Sequence, residues 1–232
     1  KSDSEVVVHR LLTIQEQNDV ERWKMEGVTL QELCQFRTPS TVIKNLLSVI
    51  EDLTSIDKEM TPLQLAVVLN CPDIVRVLCS NMATFSMISK NESEQGWTSL
   101  LLACELGHVK CIKALLCSLN IKLDYRERRG GHTAYHFCCL GRRASNTDDV
   151  INYNYVSAFD TLMSHTPNAL QKRVLLLSNR EGRNIVHMAC ARGDLSLLKC
   201  VLGHLSNVSS QMPWKALSAT DRFGHTPFIS AV

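Results

Sequence analysis

Between Glu94 and Leu116 the apolar positions of this 232-residue chain fall into two short bursts. Leu100 to Cys104 form the first, and Ile112, Leu115 and Leu116 the second, with Gly107 between them. The second burst has three- and four-residue spacing, which places its residues on one helical face. The pattern predicts a turn at Gly96, a short apolar helix that stops at Gly107, and a second helix behind it. The same order recurs along most of the chain.

Thr98 fixes the register. Gly96 stands two positions before it, Ala103 and Cys104 at plus five and six, Gly107 at plus nine, and the second-helix face at plus fourteen to eighteen. Gly27 and Thr29 lead in the same way to Leu33-Cys34, then Ile43, Leu46 and Leu47. Thr61 leads through Pro62, Leu63 and Ala66 to Val75, Leu78 and Cys79. Gly131 and Thr133 lead to His136, Cys138 and Cys139, and Gly182 and Asn184 to His187, Ala189, Cys190 and Gly193. Gly224 and Thr226 open a last copy that reaches Val232. The spacings between reference residues are 32, 37, 35, 51 and 42. A recurrence near this size marks stacked supersecondary units, with the longer spacings locating insertions.

Each recurring residue has a physical task. Glycine before the threonine permits a turn that a β-carbon would strain. The threonine caps the first helix, and proline fits its first turn. Ala66, Ala103, Cys138 and Ala189 are small enough for neighbouring helices to approach. Gly107 and Gly193 suit a left-handed residue between the two helices.

A repeat near 33 residues with Gly-x-Thr-Pro-Leu-x-x-Ala resembles the ankyrin repeat, from about Gly27 to Val232. The resemblance implies an all-α, ankyrin-repeat solenoid of stacked helix pairs with short turn fingers. It also implies that the fingertips and first-helix faces form a concave surface, and that such surfaces hold other proteins. The expected organisation is an N-terminal helical cap or part of a preceding unit over 1–26, then a repeat domain over 27–232. That domain holds about five repeats and a shortened last one. A polar insert around 142–154 separates the two helices of the Thr133 unit, whose second helix is expected over Val156 to Ser164. An extra helical or extended piece is expected from Thr166 to Ser178, and an elongation from Gly203 to Ala219 broken by Pro213 and Trp214. The start at Lys1 and the stop inside a motif read as a fragment of a larger protein.

Composition narrows the chemistry. Hydrophobic residues make up 45%, enough for a sizeable core. The net charge of +2 gives no argument for nucleic acid or membrane, and no apolar run reaches the length of a membrane span. Most of the ten cysteines fall on small, buried repeat positions or in second helices, as structural thiols in a reducing compartment. No Cys-x-x-Cys pair exists, so no metal site is expected, and no cofactor. His136 and His187 share one repeat position, which fits a structural hydrogen bond to the neighbouring turn. No phosphate loop, nucleophile elbow or paired-acid motif is present, so catalytic residues are expected to be none and the chain not an enzyme.

Partner recognition is expected on the fingers. The residue before each reference position, namely Met60, Trp97, His132, Arg183 and His225, is expected to project. Trp97 is either an aromatic anchor for a partner or packed on the adjacent finger. Arg128, Arg129, Arg142, Arg143, Arg180, Arg183, Arg192 and Arg222 are expected along the same edge. They form either a basic strip for an acidic or phosphorylated protein segment or a set of scattered solvated charges.

The expected function is a protein-protein interaction scaffold inside a larger intracellular protein, cytoplasmic or nuclear. The closing Gly-His-Thr-Pro-Phe-Ile-Ser-Ala-Val resembles the ankyrin-like stretch of large UBR-box HECT ubiquitin ligases, which implies recruitment of a partner or substrate for ubiquitination. No ligase catalytic cysteine can be assigned. Two further classes fit irregular repeats with inserts: a transcription regulator like the inhibitors of NF-κB, and the cytosolic ankyrin domain of a channel.

Overall fold

A computed structural model describes residues 61–80, 96–117, 121–141 and 154–231. The expected cap at 1–26, the Thr29 unit, Met60, Arg142, Arg143 and the insert save Asn154 lie outside the described residues. The chain divides into two compact units, Lys1–Asn91 and Glu92–Val232. Regular structure among the described residues is helical, apart from one isolated antiparallel bridge between Ser178 and Asn184. None of the described helices is long and apolar enough to cross a membrane.

In the first unit, α1 (Pro62–Val68) and α2 (Pro72–Ser80) form one helix pair. Thr61 and Gln64 build a capping box: the Gln64 N–H donates to Thr61 Oγ1 at 3.2 Å and the Thr61 N–H to Gln64 Oε1 at 2.8 Å. Leu63, Ala66 and Val67 of α1 and Ile74, Val75, Val77 and Leu78 of α2 are buried.

The second unit repeats that pair. α3 (Ser99–Glu105) and α4 (Val109–Leu116) follow Thr98, whose Oγ1 accepts from the Leu101 N–H. α5 (Ala134–Leu140) and α6 (Tyr155–Ser164) follow Thr133, and α8 (Ile185–Arg192) and α9 (Leu195–Val208) follow Asn184. The first helices α3, α5 and α8 pack side by side, and the second helices α4, α6 and α9 form the layer behind them. The small residues do what their size allows: Ala103, Cys104, Cys138 and Cys139 are fully buried where helices meet. All nine described cysteines are free thiols.

The extra pieces are helical. α7 (Asn168–Leu176) buries Val174 and Leu175 and packs on α9. The expected break at Pro213 is not observed. The chain turns at Ser209–Gln211, and Pro213 sits in the first turn of α10 (Met212–Leu217), where its missing N–H has no intrahelical partner to lose. The Asn184 side chain holds α10 on α8 by donating from Nδ2 to the Ala216 carbonyl at 2.9 Å.

Candidate functional site

Three fingers of the second unit are built on one plan. Each begins with a buried polar residue: Glu127, Asn179 or Asp221. Its backbone N–H donates across the finger to the carbonyl of His132, Arg183 or His225, at 2.8–2.9 Å. Its side chain then accepts from N–H groups inside the loop. Glu127 takes those of Arg129, Gly130 and His132. Asn179 Oδ1 takes those of Glu181 and Arg183, and Asp221 Oδ1 those of Phe223 and His225. Burial alone would raise the Glu127 carboxyl, but hydrogen bonds from His132, Arg129 and Gly130 outweigh it and hold the group below the usual carboxylate range. The same opposition, with donors His225 and Phe223, lowers Asp221.

Successive fingers are joined. The Arg180 N–H donates to the Gly130 carbonyl and the Arg222 N–H to the Glu181 carbonyl, both at 2.8 Å. The Tyr125 hydroxyl donates to the Gly96 carbonyl at 3.0 Å. Gly131 and Gly182 have φ of 71° and 81°, and the next finger lies against each, so a β-carbon there meets both torsional strain and a neighbour. The repeated histidines complete the seam, as the sequence predicts. The Thr133 N–H donates to His136 Nδ1, and His136 Nε2 donates to the Arg183 carbonyl of the following finger at 3.2 Å. His187 makes the equivalent contact with the His225 carbonyl at 3.1 Å.

The residue after each anchor is an arginine: Arg128, Arg180 and Arg222. All three are exposed, as is Arg129. The anchor fixes the loop backbone from inside, so these guanidiniums recur at one position in three fingers. Side-by-side helices sit about 8–10 Å apart, which sets the scale of the ladder.

The residues expected to project from before the helix caps are mostly turned against the protein. Trp97 packs on Phe137, with ring centroids 4.6 Å apart, and is half-buried. His132 Nδ1 donates to Glu127 at 3.0 Å, and its Nε2 accepts from Asn179 Nδ2 at 3.0 Å. Arg183 pairs with Asp221 and Glu181, each at 3.3 Å. The reason is local: the backbone at these positions is already turning into the helix, so the side chain lies along the next repeat. His225 is exposed. Arg192 departs from the expected edge. It is the last residue of α8, a helix length from Arg183, where it donates to the Leu140 carbonyl at 3.0 Å and stacks over Tyr155 at 4.0 Å.

Two features escape the sequence reading. Trp214, Phe223 and Phe228 are strongly exposed aromatics, at 76%, 64% and 78%. Asp160, Cys200 and His204 converge between α6 and α9; the Cys-x-x-x-His spacing is the visible part of that signal.

Residues 30–129 match the family model for ankyrin repeats, in three copies. The helix pairs at Thr133 and Asn184 lie outside the match, and share with each other their capping boxes, histidines and finger bonds. No curated protein matches the sequence. The chain is similar in structure to one described as EF0377, an ankyrin repeat protein, with TM-score 0.59, 18% identity and coverage of 88% of this chain and 89% of that one. It is also similar to a chain of the Bd0816 predatory endopeptidase from Bdellovibrio bacteriovorus in complex with immunity protein Bd3460, with TM-score 0.55, 16% identity, and 88% and 90% coverage. At such identities the likeness concerns the fold. Residues 30–129 therefore carry ankyrin repeats, and the helix pairs of the second unit stack in the ankyrin-repeat fold.

Proposed function

We propose that this chain is a non-catalytic protein-interaction module whose fingers hold an acidic segment of a partner protein. The observation that carries this reading is the ladder of Arg128, Arg180 and Arg222, exposed at one position in three bonded fingers. A bonded seam beneath exposed basic side chains suits extended recognition by a repeat surface. Arginine forks match carboxylate and phosphate groups in two-point contacts. The free thiols, four of them buried, support a reducing compartment, cytoplasm or nucleus.

An exposed arginine–carboxylate contact contributes about 0.2–1 kcal/mol, so three together give about threefold to 150-fold in affinity, and charge reversal adds repulsion to that loss. The test is fluorescence anisotropy with a labelled glutamate-rich peptide and its phosphoserine counterpart, at low and high salt. The R128E/R180E/R222E variant is expected to bind at least about tenfold more weakly, with a flatter salt dependence. Equal binding by the two proteins, or preference for duplex DNA over either peptide, would overturn the reading.

The closing stretch from Gly224 to Val232 favours a narrower version, in which the held protein is a substrate for ubiquitin transfer by a catalytic region outside these 232 residues. Ubiquitin conjugates on a captured partner should then fall when the three arginines are reversed. Unchanged conjugation would remove this version and leave the interaction module standing.

A further inference from the structure

A second constellation lies in the outer layer. Cys200 and His204 stand four residues apart on α9, so both side chains leave the same face on consecutive turns. Asp160 faces them from α6, which packs against α9. The Cys200 thiol donates to Asp160 Oδ1 at 3.0 Å, and His204 Nε2 lies 2.7 Å from the same oxygen. The three potential ligand atoms lie within 4.8 Å of one another. The Phe159 ring sits 5.7 Å from the His204 ring, holding one side of the imidazole.

The carboxylate is the hub of this group. A nucleophilic cysteine needs the imidazole between thiol and carboxylate, so that the base takes the thiol proton. Here thiol and imidazole both address one carboxylate oxygen, which gathers a sulfur, a nitrogen and an oxygen within 4.8 Å of one another. Metal–ligand bonds of about 2.0–2.3 Å at tetrahedral angles put ligand atoms about 3.3–3.5 Å apart. Opening the two contacts to Asp160 by roughly half an ångström, with Cys200 Sγ and His204 Nε2 already within 4.8 Å, brings the three atoms towards that geometry by side-chain rotation. The donor set selects the ion. Magnesium and calcium want oxygen ligands throughout, whereas sulfur, nitrogen and one carboxylate oxygen suit zinc. The Asp160 side chain is 54% exposed and that of His204 27%, so a fourth position faces solvent.

We propose that Asp160, Cys200 and His204 form a zinc-binding site that clips α6 to α9, with water or a partner's side chain as fourth ligand. It is separate from the arginine ladder in residues and in chemistry.

The test uses the whole chain with zinc and with cobalt as a spectroscopic stand-in. Wild type is expected to bind one cobalt ion with the visible bands of tetrahedral coordination and a thiolate charge-transfer band, displaced by zinc. C200S should lose the charge-transfer band, and H204Q and D160N should each weaken binding at least tenfold. Zinc should raise the Tm of wild type and leave that of C200S unmoved; far-ultraviolet circular dichroism checks that each variant is folded. Absence of stoichiometric binding, or a charge-transfer band that survives in folded C200S, would overturn the assignment.

Discussion

Replacing His136 with glutamine tests the seam between fingers through its pH dependence. The His136 side chain is fully buried, accepting from the Thr133 N–H at Nδ1 and donating from Nε2 to the Arg183 carbonyl. Burial first, and the electrostatics of neighbouring His132 second, push the imidazole from 6.5 to about 3. In the unfolded chain it titrates near 6.5. The native state therefore keeps it neutral, while the unfolded state takes up a proton as pH falls below 6.5. Stability is fully present above 6.5 and is lost as pH falls towards 3. The slope is about 1.4 kcal/mol per pH unit, or about 2 kcal/mol between pH 7 and pH 5. Gln64 shows that glutamine closes the same capping box at α1. The H136Q substitution removes the titration and loses the reach to Arg183, at about 1 kcal/mol near neutrality. Every other group is common to the two proteins, so the difference between them isolates residue 136. Urea midpoints at pH 7, 6 and 5 should show the variant weaker at pH 7 and stronger at pH 5. Parallel loss of stability in the two proteins would refute the neutral, bonded His136.

Further outcomes follow from the same packing. G182A meets both a positive φ and the backbone of Asp221 and Arg222 at 3.0–3.2 Å, whereas G193A at φ 75° meets open space. Thermal melts should show G193A costing about 1–2 kcal/mol and G182A about 1–3 kcal/mol more. W97A removes the stack on Phe137 and should cost about 2 kcal/mol of stability while leaving acidic-peptide affinity unchanged. R192L removes the Tyr155 contact and the bond to Leu140 and should cost about 1–2 kcal/mol in a urea titration, again without effect on the peptide.

The fold is legible in the sequence because each repeat announces itself locally. Thr98, Thr133 and Asn184 cap helices where spacing places them, and His136 and His187 share one task at one register position. The fingers are legible in outline only. Arginine after Glu127, Asn179 and Asp221 is a repeat too, but its meaning depends on the anchor being buried, which needs the neighbouring finger. Trp97 and Arg183 are expected outward if a turn exposes its last residue; the next repeat covers them. Arg192 shares its charge with the finger arginines but lies at the other end of α8, a distinction that charge counting does not make. Pro213 reads as a breaker because its position in a helix's first turn is indistinguishable from an interruption without the Ser209–Gln211 turn. Asp160 and Cys200 are forty residues apart, so only packing of α6 on α9 brings them together.

The arginine ladder is tested most directly by hydrogen exchange on the chain with a glutamate-rich peptide added, read by mass spectrometry. New protection is expected in the loops over 128–131, 180–183 and 222–225, with α4, α6 and α9 unchanged. Protection confined to the outer helices, with the three loops exchanging as in the free chain, would contradict binding by the ladder.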